Sequence, residues 1–165
     1  MRKIGEEGQG VTLVLGVGNL FRRDDGVGIH VIRRLEGAGL PSSVRLLDGG
    51  TAGLDLVTYL EGVDRLIIVD ALVGDGSPGD IRIIREEETQ GDHFLSGHLG
   101  RVGDILDMTA ALWKRPETTI IGVLAADCSG YGECLTPGVV PAVEKAVRII
   151  EEMVRPEAAD GQAVC

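Results

Sequence analysis

Residues 11–17 (VTLVLGV) are apolar almost without a break and rich in β-branched side chains, the pattern of a strand buried on both faces. After a polar loop, Val27, Val31, Ile32 and Leu35 recur at helical spacing. Arg33 and Arg34 near the end of that stripe, then Gly37 and Gly39, mark where the helix stops. A second short strand is predicted from Val44 to Leu47, ending at Asp48. Gly49 and Gly50 turn the chain, Thr51 is placed to cap, and Leu54, Val57 and Leu60 mark a second helix. Leu66 to Val69 is a third apolar strand, ending at Asp70.

That alternation of strand and helix requires a parallel sheet with right-handed crossovers. Residues 74–79 (GDGSPG) then read as a tight turn. Ile81 to Arg85 alternates apolar and basic positions, which predicts an antiparallel edge strand. Leu99, Val102, Leu106 and Thr109 form a further helical stripe, and residues 118–125 a fifth apolar strand. Thr136 and Pro137 open a last helix as cap and first-turn proline, with Val140, Val143, Val147, Ile150 and Val154 on its core face. The expected fold is an α/β three-layer sandwich: a five-stranded, mostly parallel sheet, one antiparallel edge strand, and helices on both faces. Ligands of such sheets bind beyond the carboxyl ends of the strands, where the strand order reverses.

The length of 165 residues suits one domain, with residues 1–10 and 156–165 expected to be flexible ends. Lys plus Arg number 16 against 26 Asp plus Glu, a formal net charge of −10. That balance argues against nucleic acid, which demands a basic surface, and against an anionic membrane. Aromatic residues at 3% also disfavour base stacking. No apolar run is long enough to span a bilayer, and no signal-peptide core follows the first residues. Three cysteines (Cys128, Cys134, Cys165) form no closed set of pairs, so a reducing, cytoplasmic setting is expected. Cys128 and Cys134 are not spaced as a usual zinc clip and read as inert small residues. A monomer is expected.

The first three strands all deliver acid to one sheet edge. Asp24 and Asp25 follow strand one, Asp48 ends strand two and Asp70 ends strand three. Singly, each has an ordinary reading: Asp24 as a helix cap, Asp25 in a favourable first turn, Asp48 in a turn. Together they mark a site, with Asp25 and Asp70 facing each other across the point where strand order reverses. Two buried carboxylates repel, so a proton or a cation must settle between them. Oxygen ligands alone suit magnesium; an added imidazole favours nickel, zinc or a similar ion. Of three histidines, His30 reads as structural or exposed and His93 as solvated. His98, at the start of the helix that Ser96 can cap, is placed where a helix N-terminus keeps the imidazole neutral, as a metal requires.

Other readings fit less well. Gly16 and Gly18 after a strand suggest a dinucleotide fingerprint, but Phe21 stands where its third glycine belongs. A phosphoacceptor domain wants a lysine after the last strand, and residues 124–127 (LAAD) lack one. A non-catalytic metal-sensing or protein-binding module of the same fold shares every ligand argument.

Residues 14–28 (VLGVGNLFRRDDGVG), 47–53 (LDGGTAG), 67–71 (IIVDA), 96–100 (SGHLG) and 135–137 (LTP) resemble, in order and spacing, the maturation endopeptidases of [NiFe] hydrogenases. The resemblance implies a cytoplasmic protease that removes the C-terminal extension of a hydrogenase large-subunit precursor once nickel is inserted. It implies Asp25, Asp70 and His98 as both the nickel ligands and the catalytic set, with the nickel supplied by the precursor. The cleaving water would be activated by the metal or by an aspartate acting as base. Asp48 with Gly49, Gly50 and Thr51 are candidates for gripping the substrate tail, and Arg22 and Arg23 are alternatives. Residues 124–130 depart from the proline-containing segment common in the family, which leaves the hydrogenase partner open.

Overall fold

The computed structural model describes residues 10–85 and 97–155, without the side chains of residues 97–102. Five strands, β1 (Thr12–Val17), β2 (Val44–Gly50), β3 (Arg65–Leu72), β4 (Ile81–Arg85) and β5 (Glu117–Leu124), form one sheet in the order β2-β1-β3-β5-β4. Neighbours run parallel except β4, which pairs antiparallel with β5. The strand order therefore reverses between β1 and β3, as the sequence predicts.

Why the strands read as unbroken apolar runs is visible in their packing. Leu13, Leu15, Leu66, Ile68 and Ile120 face one side, while Val14, Ile67, Val69 and Ile121 alternate with them onto the other. On the second side lie α1 (Val27–Leu35) and α3 (Val140–Val154), seated through Val31, Ile32, Leu35, Ala146, Val147 and Ile150. On the first lie α2 (Gly97–Leu112), through Ile105 and Leu106, and the segment Gly53–Leu60, through Leu56, Val57 and Leu60. Both faces are covered, and the three layers follow.

Several expectations need correction. The second helix is a 3₁₀ stretch, Gly53–Leu60, in which Leu54 is exposed and Thr51 makes no capping bond. Its buried residues lie close enough for tight 3₁₀ turns to present them, and Gly53 enters with φ 61°. β3 does not end at Asp70. Ala71 and Leu72 continue the ladder opposite Val123 and Leu124, so Asp70 lies within a strand, paired with Gly122. β2 likewise runs on past Asp48 to Gly50. Thr136 does not cap α3, whose first turn instead carries Pro141, and Val140 is exposed while Ala142 and Ala146 fill the core face. Leu99 and Val102 fall within α2, but their side chains lie outside the described residues, as do His93 and both chain ends.

Candidate active site

The parallel ladder between β1 and β3 stops at the pair Gly16 and Val69, one residue before Asp70. β1 also slips register against β2 between Gly16 and Val17. The sheet thus splits just where Asp70 stands, still held from its other side by β5. The first turn of α1 seats in the split. A Cβ on Gly28 would lie 2.3 Å from the Val69 carbonyl oxygen and 2.7 Å from that of Val17, so only glycine lets the helix come this close.

One turn earlier, the 3₁₀ turn Arg23–Gly26 packs against β3 and carries two adjacent carboxylates. Both are buried, Asp24 at 0% exposure and Asp25 at 8%, and Asp70 is also at 0%. Their surroundings differ. The Asp24 carboxylate accepts four hydrogen bonds: from the Ala126 and Asp127 amides, and from the Thr136 amide and hydroxyl, at 2.7–3.0 Å. Asp24 is therefore a clamp between the loop after β1 and the loop after β5, and neither a helix cap nor an open ligand. Asp25 accepts the Asn19 amide through Oδ2 at 2.9 Å, and Asp70 accepts the Ala71 amide through Oδ1 at 2.8 Å. Gly18, at φ 125°, lets the loop fold under this turn, since a Cβ there would meet the Asp25 carbonyl oxygen at 1.8 Å.

The clamp has a second strand of contacts. The Arg23 amide donates to the Gly132 carbonyl at 2.8 Å, the Gly132 amide donates to the Phe21 carbonyl at 2.9 Å, and the Asp24 amide donates to the Asp127 carbonyl at 3.2 Å. Arg23 holds φ at 50°, a conformation uncommon for a side-chain-bearing residue, and its guanidinium lies 3.4 Å from the Asp127 carboxylate. Asp127 also accepts from the Gly130 and Ser129 amides and the Ser129 hydroxyl. These bonds, more than Arg23, hold its carboxyl below the usual aspartate range.

Cys128 reports on the charge gathered here. Its thiol is pushed up to about 12, first by burial and then by the negative charges of Asp25, Asp24, Asp70 and Asp127. Its apolar neighbours are Val27, Ala71, Val123, Val139 and Ala142. The turn that carries Asp24 and Asp25 packs against β3, which carries Asp70. The third expected donor, His98, has its backbone in the first turn of α2, and its side chain lies outside the described residues. Among the described residues no group of three His, Cys, Asp or Glu is spaced to hold a metal ion.

Asp48 is exposed on the outer strand β2, where its Oδ1 accepts the Gly50 amide at 3.1 Å, the geometry of an ordinary turn. Gly49 is buried beside Leu15 and Leu56, and Thr51 is exposed. His30 donates from Nε2 to the Glu133 carbonyl at 3.0 Å.

A family model described as hydrogenase maturation protease, HycI, matches residues 29–153. The chain is 35% identical over 149 residues to the hydrogenase 2 maturation protease of Escherichia coli, covering 86% of this chain and 87% of that one. The chain belongs to the hydrogenase maturation proteases. It is also 33% identical over 149 residues to the hydrogenase expression/formation protein HupD of Bradyrhizobium diazoefficiens, covering 85% of this chain and 78% of that one. Its fold matches the [NiFe] hydrogenase maturation protease HybD of Thermococcus kodakarensis with a TM-score of 0.78 and 30% identity, covering 88% of this chain and 99% of that one. As a member of this family the protein is a peptidase, and no helix among its described residues is long and apolar enough to cross a membrane.

Sequence reasoning missed how this protease divides its acids. Thr136 was the available signal: a Thr-Pro pair between a strand and a helix reads as a cap, yet both Thr136 donors point back to Asp24. Asp127 and Cys128 carried no signal at all, because loop residues far along the chain announce no partner.

Proposed function

We propose that this protease cleaves the C-terminal extension from the precursor of a [NiFe] hydrogenase large subunit, with Asp25, Asp70 and His98 meeting the nickel that the precursor already holds. The observation that carries this reading is the pair of buried carboxylates, Asp25 and Asp70, at the split between β1 and β3. Their carboxylate oxygens are hard donors that suit a divalent ion, which supports a substrate that arrives with its metal. Cleavage adds water across the scissile amide: oxygen bonds to the carbonyl carbon, the C–N bond breaks, and the departing nitrogen takes up a proton. One of the aspartates serves as the base that accepts the proton from the water and returns it to the amine. The end of β2, with Asp48 and Thr51 exposed on either side of Gly49 and Gly50, grips the substrate tail beside this edge.

The test offers purified protein the precursor with and without nickel and follows release of the C-terminal peptide by mass spectrometry. Trimming is expected only with nickel, and Asp25→Ala and His98→Ala each lower its rate at least a hundred-fold. Equal trimming of the nickel-free precursor would overturn the metal-reading role. Binding without trimming under any condition would favour a non-catalytic module.

A further inference from the structure

The mouth of the site carries two exposed rings in a chain that has only five aromatic residues. Phe21 is 63% exposed and Tyr131 is 86% exposed. They sit on different loops, but those loops are stitched together. The Gly132 amide donates to the Phe21 carbonyl, the Arg23 amide donates to the Gly132 carbonyl, and Arg22 bridges Gly132 in β fashion. The Phe21 amide is fixed in turn by the Asn19 side chain at 3.0 Å. Two mobile loops would lose entropy on closing over a partner; these are ordered in advance.

Nothing in the fold explains the rings. They lie outside the core and remain mostly exposed, Phe21 four residues before the buried Asp25 and Tyr131 four residues after the half-buried Asp127. Between them stand Arg22 and Arg23, both exposed, in a chain of net charge −10. Aromatic residues and arginine on a rigid support are the composition of an interface centre.

We infer that Phe21, Arg22 and Tyr131 form the docking platform for the folded body of the precursor, gripping an apolar patch flanked by acidic groups. This rests on the proposed function, since it names the surface through which the same substrate is held. The cleft takes the metal and the tail; the platform takes the body beside them. Because Phe21, Arg22 and Asp25 share one short loop, docking fixes the register of the scissile bond.

The experiment measures binding of nickel-loaded precursor to immobilised protease, and steady-state trimming, for Phe21→Ala, Tyr131→Ala, the double variant and Arg22→Glu. Tyr59→Ala, an exposed ring in the opposite layer, is the control. Each ring variant is expected to weaken binding about ten-fold and the double variant about a hundred-fold, with KM rising in step and kcat retained. Arg22→Glu should weaken binding most at low salt. Thermal unfolding within two degrees of the parent confirms that the exposed rings were removed from an intact fold. Binding within two-fold of the parent in the double variant, with trimming intact, would overturn the platform and leave the protease reading standing. An equal loss of affinity for the isolated extension peptide would overturn the assignment to the folded body. Failure of the parent protein to bind or trim any precursor would instead overturn the function on which the platform rests.

Discussion

Asp24 and Asp25 are neighbours in the chain and opposites in use. Four hydrogen bonds reach the Asp24 carboxylate from the segment 126–136, so removing it strands four part-buried donors at once. Asp24→Ala is expected to cost at least about 3 kcal/mol of stability in urea unfolding, whereas Asp25→Ala should cost about 1 kcal/mol. The second variant should lose cleavage while remaining folded. Cys128 gives a second test at this scale. At pH 8 a thiol near 12 is about one part in ten thousand thiolate, against about a tenth for an ordinary cysteine. Iodoacetamide at pH 8 should therefore modify the exposed Cys134 well before Cys128, as peptide mapping can show. The same shift has a thermodynamic sign. Above about pH 9 the thiol ionises in the unfolded chain but not in the folded one. The folded state then holds more protons, and stability should fall as pH climbs from about 9 to about 12. Cys128→Ser should flatten that slope in urea melts.

At the scale of elements, the site depends on how closely α1 approaches the ends of β1 and β3. Gly28→Ala places a methyl group against two backbone carbonyls that have nowhere to move. A loss of about 2–4 kcal/mol in urea or thermal unfolding is expected, together with loss of trimming as the Asp25 turn is pushed off β3. Gly37→Ala is the contrast: no atom lies within 4 Å, so only its φ of 86° opposes the change, and about 1 kcal/mol is expected. These elements were legible in the sequence to different degrees. β1, α1 and the alternating strand β4 follow directly from periodicity, because side-chain spacing reports burial on one or both faces. The segment 53–60 and the start of α3 were less legible. In the first, apolar spacing alone does not separate an α-turn from a 3₁₀ turn. In the second, Thr136 is recruited by a carboxylate 112 residues away. Asp70 was readable as a strand-edge acid although its strand runs on, because the split is made by β1 turning away and not by β3 ending.

At the scale of the whole molecule, the reversal of strand order predicted where the site would lie, and the buried acids Asp25 and Asp70 are found there. What the sequence did not reveal is the lock between the loop at residues 19–25 and the loop at residues 126–136, since none of its bonds has a local signature. The lock also orders events in time. The acid at position 24 is synthesised early, but the groups that fix its carboxylate arrive more than a hundred residues later, from beyond β5. A partly made chain therefore carries the carboxylates without their frame. It can collapse onto the early strands, yet the loop that carries Asp25 is not locked through Asp24 until residue 136 has been added and β5 has joined the sheet. Peptide-cleaving power is in this way withheld from the growing chain and delivered only with the finished fold.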